Sequence, residues 1–79
     1  MTIDPGSPVP VYRQLAEILR AKIASGEFER RLPSVRTLQQ EYEISQASVT
    51  HALNLLKDEG LIIGVPGKGM FVRDAGNRT

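Results

Sequence analysis

Between Tyr42, where one stretch of helical apolar spacing ends, and Ser45, where the next can begin, the sequence leaves only Glu43 and Ile44. Two helices joined by so short a link must pack as neighbours, which leaves few arrangements open. The first opens at Ser34, whose hydroxyl can cap free backbone amides, and turns Leu38 inward. The second opens at Ser45 and carries Val49, Ala52, Leu53 and Leu56 as one stripe before Gly60 ends it. Ile44 and Val49 are spaced as a hydrophobic staple, while Ser48 stands where a capping box would place Glu or Gln, so that box is incomplete. The succession predicts a helix-turn-helix.

The flanks complete a small fold. Pro5, Gly6, Ser7, Pro8 and Pro10 deny a helix its donors and dihedrals, so residues 1–10 read as a flexible arm. From Val11, the residues Tyr12, Leu15, Ile18, Leu19 and Ile23 recur at three and four, predicting a first helix that Gly26 stops with a left-handed cap. Phe28 and Leu32 are expected to anchor the connection to the second helix. After Gly60 the period changes: Leu61–Val65 and Met70–Arg73 flank Pro66-Gly67-Lys68-Gly69, the pattern of a hairpin with a glycine-rich tip. The prediction is a mainly α winged helix-turn-helix domain over 11–73, with three helices and a two- or three-stranded antiparallel sheet as the wing. Residues 74–79 read as a polar tail.

Composition removes whole classes of function. Cysteine is absent and His51 is the single histidine, so disulfides, thiolate or histidine-cluster metal sites and a cysteine nucleophile are excluded. No clustered carboxylates and no Gly-rich phosphate loop suggest a catalytic centre; Gly67-Lys68-Gly69 lacks the first glycine and the following Ser or Thr of a Walker motif. Neither an enzyme nor a cofactor is expected. With no apolar run near ~18 residues and no leader-like start, the chain is expected to be soluble, cytoplasmic and unattached to membranes. The net charge of +1 is far from the basic excess that announces nucleic acid binding by itself, but Arg30, Arg31 and Arg36 cluster at mid-chain while Lys68 and Arg73 lie near the end.

The stretch LPSVRTLQQEYEISQASVTHALNLLKDEGLIIGVPGKGMFV, from Leu32 to Val72, resembles the N-terminal domain of GntR-family transcriptional regulators. With Pro10 to Leu15 and Ser25-Gly26-Glu27 the resemblance covers nearly the whole chain. It implies a regulator, often a repressor, that binds double-stranded DNA as a homodimer on a near-palindromic operator, with the third helix in the major groove and the wing tip in or beside the minor groove. By position it carries the LPSxR arginine onto Arg36 and the wing glycine onto Gly67. This chain has Gln46 and Thr50 where the family often has arginines, so the family's usual target sequence is not expected to transfer. The family's effector-binding, dimerising half is not expected within 79 residues.

With Val49, Ala52, Leu53 and Leu56 inward, helical spacing puts Ala47, Thr50, His51 and Asn54 outward. Asn54 and Gln46 can bond bidentately to adenine, Ala47 can touch a thymine methyl, and His51 can donate to guanine or phosphate. Ala47, Thr50 and His51 are favoured, because base edges meet mainly the N-terminal part of such a helix. Ser34, Ser45 and Ser48 sit at helix starts, where free amides suit phosphate oxygens, and Arg36 and Lys68 are the favoured phosphate partners ahead of Arg30 and Arg31. The bland alternative is a soluble helix face with capping serines. A rival reading, a winged-helix protein-interaction module, rests on the small net charge, the missing arginines and Leu55, which lies off the core stripe and either packs on the first helix, the favoured placement, or marks a partner surface.

Overall fold

In the computed structural model, residues 3–73 are described. They form α1 (Val11–Ser25), α2 (Val35–Tyr42), α3 (Gln46–Asp58) and a two-stranded antiparallel sheet of β1 (Ile62–Val65) and β2 (Gly69–Val72). This is a winged helix-turn-helix. The expected polar tail, 74–79, lies outside the described residues.

Helix ends follow the residues that were expected to make them. Ser34 Oγ accepts from the Thr37 amide and Ser45 Oγ from the Ser48 amide, both at 3.1 Å, satisfying one free donor at the start of α2 and of α3. Ser45 Oγ also donates to Ser48 Oγ at 3.1 Å. Gly26 and Gly60 are left-handed, at φ +80° and +79°. Beside them Glu27 N–H donates to Lys22 O and Leu61 N–H to Leu56 O, the paired closure that satisfies the last carbonyls. At the end of α2 the same task falls to Glu43, a side-chain-bearing residue held at φ +55°.

The core lies between α1 and α3, whose contact is the most extensive between elements. Leu15, Ala16 and Leu19 meet Val49, Ala52, Leu53 and Leu56 there, joined by Leu38 from α2, Leu32 from the connection and Ile62 from β1. Leu55 is half-buried against the same cluster. Arg20 grips Glu59 across the end of this interface, with Nε and Nη2 donating at 2.9 and 2.7 Å, and that hydrogen bonding holds the Glu59 carboxyl below its ordinary pKa. Among the described residues, no helix is long and apolar enough to cross a membrane.

Two features add long-range detail to the sequence reading. Residues 3–10 contain no helix or strand, yet they are tied to α1 rather than loose. Gln14 accepts from the Asp4 amide at 2.7 Å and its Nε2 donates to the carbonyls of Asp4 and Val9, each at 2.8 Å. Ile3 rests on the core cluster. The connection before α2 also adds to the wing: Arg31 bridges Phe71, Val72 N–H donates to Arg30 O, and Leu32 N–H donates to Met70 O.

Glu43 occupies a backbone region that L side chains enter at a cost of roughly 1 to 2 kcal/mol, a cost glycine avoids. After glycine's own entropic penalty, Glu43→Gly should stabilise the domain by about 0.5 to 1 kcal/mol, a rise of roughly 3 to 6 °C in Tm. A thermal melt followed by circular dichroism at one pH checks this; an unchanged or lower Tm would show that the Glu43 side chain is itself contributing.

Candidate nucleic-acid interface

The outward face of α3 is one surface. Gln46, Ala47, Thr50, His51 and Asn54 together line a shallow open depression of about 500 Å³. All five are exposed, while Val49, Ala52 and Leu53 between them are buried, so burial of one stripe aims the other at solvent. The set mixes amide, hydroxyl, imidazole and methyl groups, which can donate, accept or pack against base edges.

His51 is held in a way that spacing could not reveal. Its ring stacks on Tyr12 of α1, with centroids 3.7 Å apart and planes 2° from parallel. Tyr12 is half-buried at the core edge, as expected of a residue on the apolar stripe.

A second depression, of about 430 Å³, runs between the start of α2 and the wing. It brings Ser34 together with Gly67, and adds Lys57 from the last turn of α3, which the sequence reading passed over. The Lys57 ammonium lies over Gly64 of β1, where a Cβ would come within 3.2 Å of it, so the bare backbone there makes room for the cation. At the tip, Lys68 N–H donates to Val65 O at 2.9 Å, with Pro66 and Gly67 at the two central positions and Gly67 at φ +79°, the pattern of a type II turn. Lys68 is thereby carried at the exposed apex.

Arg31 has a different task from its neighbours. Its Nη2 donates to the Lys68 carbonyl at 2.9 Å and its guanidinium lies 5.9 Å from the centre of the Phe71 ring. It braces the wing from outside the hairpin, a placement that explains its position in the sequence without any phosphate. Arg36 and Lys68 are exposed, and among the described residues no carboxylate forms an ion pair with either. Ser45 and Ser48 sit at the start of α3 with their hydroxyls engaged with each other. The candidate residues therefore fall into the α3 face, the seam between α2 and the wing, and the capping serines. Among the described residues no three His, Asp or Glu side chains converge to hold a metal ion.

Arg31→Ala should free the wing tip. Losing one charged hydrogen bond and the ring contact, a loss of about 1 to 1.5 kcal/mol of local stability, should speed exchange of the Lys68 amide about ten-fold while leaving that of Leu53 unchanged. Hydrogen–deuterium exchange read by NMR makes the comparison; equal rates at Lys68 in both proteins would mean that the hairpin holds its own tip.

Comparison with known proteins agrees with this architecture. The family model of bacterial regulatory proteins of the gntR family matches residues 11–72. The HTH-type transcriptional repressor NagR of Bacillus subtilis is 39% identical over 74 residues, which are 91% of this chain and 30% of that protein. The mannosyl-D-glycerate transport/metabolism system repressor MngR of Escherichia coli is 34% identical over 67 residues, 82% of this chain and 28% of that protein. The chain thus spans less than a third of the length of either relative. Among solved structures, YtrA from Sulfolobus acidocaldarius, a GntR-family transcription factor, superposes with a TM-score of 0.82 at 35% identity, over 92% of this chain and 79% of that one. The DNA-binding domain of AraR in complex with operator ORX1 does so with a TM-score of 0.81 at 28% identity, over 91% and 92%. With the family model matched across all three helices and the hairpin, this chain belongs to the gntR family of bacterial regulatory proteins.

Proposed function

We propose that this chain is a sequence-reading, duplex-DNA-binding domain that controls transcription by occupying an operator, without chemistry of its own. The observation that carries the proposal is the single exposed face of Gln46, Ala47, Thr50, His51 and Asn54 on a helix whose opposite stripe is fully buried. Such a helix fits the major groove and offers its N-terminal residues to base edges. The seam holding Ser34, Lys57 and Gly67, with Arg36 and Lys68 beside it, suits the phosphate backbone. Support comes from the operator-bound AraR domain, which shares this fold. The repressor names of NagR and MngR favour repression in the cytoplasm, where operators are found.

One domain neutralises few phosphates, so binding is proposed to be tight only when two copies occupy half-sites about one helical turn, ~10 bp, apart on a near-palindromic operator. The rival protein-interaction reading loses weight, because Leu55 is half-buried against the core.

Selection from a random duplex pool should enrich one motif. Against that motif, Thr50→Ala should lose roughly 1 to 3 kcal/mol on the operator and little on a scrambled duplex, the mark of a base contact. Lys68→Ala should weaken both duplexes by similar factors, because phosphates are alike at every step. Alanine is the best helix former, so misfolding of α3 does not imitate the Thr50 result. Anisotropy titrations at one salt concentration measure all four affinities; equal losses from Thr50→Ala on both duplexes, or no enriched motif, would refute base reading by α3.

Salt dependence counts the backbone contacts. With Arg31 committed to the wing, Arg36, Lys57, Lys68 and one of Arg30 and Arg73 remain, so the log–log slope per monomer should be about −3 to −4. A slope near −8 would place the basic surface elsewhere.

A further inference from the structure

The Tyr12–His51 stack joins the start of α1 to the exposed face of α3, and nothing in the packing of the core requires it, since His51 is exposed. We propose that Tyr12 is a positioning residue for DNA reading: it covers one face of the His51 imidazole and fixes its plane, so that the ring edge is held ready for the duplex. The inference rests on the DNA-reading role of α3 proposed above.

An unrestrained histidine on a helix surface samples several rotamers, and locking it on binding weakens affinity by about two- to ten-fold. Rings 3.7 Å apart and 2° from parallel fix the plane of the imidazole, with one face covered by the phenol ring. A covered face cannot stack on a base. Beside the covered face, in the depression shared with Thr50 and Asn54, the ring edge carries a nitrogen that can bond to a base edge.

Such a clamp works only if Tyr12 is itself fixed, and it stands in the first turn of α1, where helices ordinarily fray. Here the turn is pinned from outside. Pro10 O accepts from the Arg13 and Gln14 amides at 3.0 and 3.1 Å, and the Gln14 side chain holds Asp4 and Val9 through three hydrogen bonds of 2.7 to 2.8 Å. The N-terminal segment thus holds down the first turn of α1, and that turn carries the Tyr12 ring stacked on His51, so the orienting cost is met in the free protein.

The test is a double-mutant cycle on the enriched operator and a scrambled duplex, using Tyr12→Leu, Tyr12→Phe, His51→Ala and the Tyr12/His51 double variants, with Tyr12→Met as a second way to remove the flat ring while keeping apolar bulk. Tyr12→Leu and Tyr12→Met should each lower the preference for operator over scrambled duplex by about two- to ten-fold, with scrambled binding unchanged. Tyr12→Phe should stay within about two-fold of the parent, and in the His51→Ala background the Tyr12 substitutions should cost nothing more. By NMR of the free protein, the His51 ring protons should resonate upfield in the parent and in Tyr12→Phe, and relax toward random-coil positions in Tyr12→Leu. Independent, additive losses would overturn the inference. So would equal losses on both duplexes, or a Tyr12→Phe defect as large as that of Tyr12→Leu, which would assign the effect to the hydroxyl. If the pool yields no motif, base reading by α3 fails and this inference falls with it; a clear motif with an additive cycle removes this inference alone.

Discussion

Burial of Leu15 and Leu19 of α1 against Val49, Leu53 and Leu56 of α3 is the contact on which everything else in the domain depends. A chain this small has a narrow margin between apolar burial and conformational entropy, so the largest fully buried side chains must share one interface. Once α3 turns that stripe inward, the orientation of its outer face is no longer free. The proposed reading surface is in this sense a by-product of the core: Thr50 and His51 face outward because Val49, Ala52 and Leu53 cannot.

The short link Glu43-Ile44 sets the second constraint. α2 has to end, reverse and deliver Ser45 as a cap within these residues, and it does so with a glutamate in the left-handed region, where α1 and α3 each use glycine. Ile44 then packs at the core edge and fixes the direction in which α3 departs. The angle between the two helices is built from one strained residue and one half-buried one.

Much of this was legible before any coordinates. Gly26, Ser34, Ser45 and Gly60 mark helix ends through local chemistry, each acting on its own backbone within a few residues, and the apolar period of α3 names its outer face. Local rules stop where contacts become distant. Gln14 reaches back ten residues to Asp4, Arg31 reaches forward 37 to Lys68, and Arg20 reaches 39 to Glu59. Nothing in the spacing of Arg30, Arg31 and Arg36 says which of them is a brace and which faces solvent; that depends on the path the connection takes beside β2. The same limit hid the partner of His51. Tyr12 reads as an apolar-stripe residue, and it is one, but its ring also serves α3.

The third strand-like contact of the wing has a mechanical meaning. Leu32 donates its amide to Met70 of β2, and two residues later Ser34 caps α2. Two residues of backbone reach at most ~7 Å, with Pro33 between them stiffening the link. The hairpin is therefore coupled to the helix-turn-helix by a short rod and is not a flap on a loose hinge. On a duplex bound as proposed above, a displacement of the tip by a widened or narrowed groove would be passed to the start of α2, making the separation between helix and wing one gauge of groove shape.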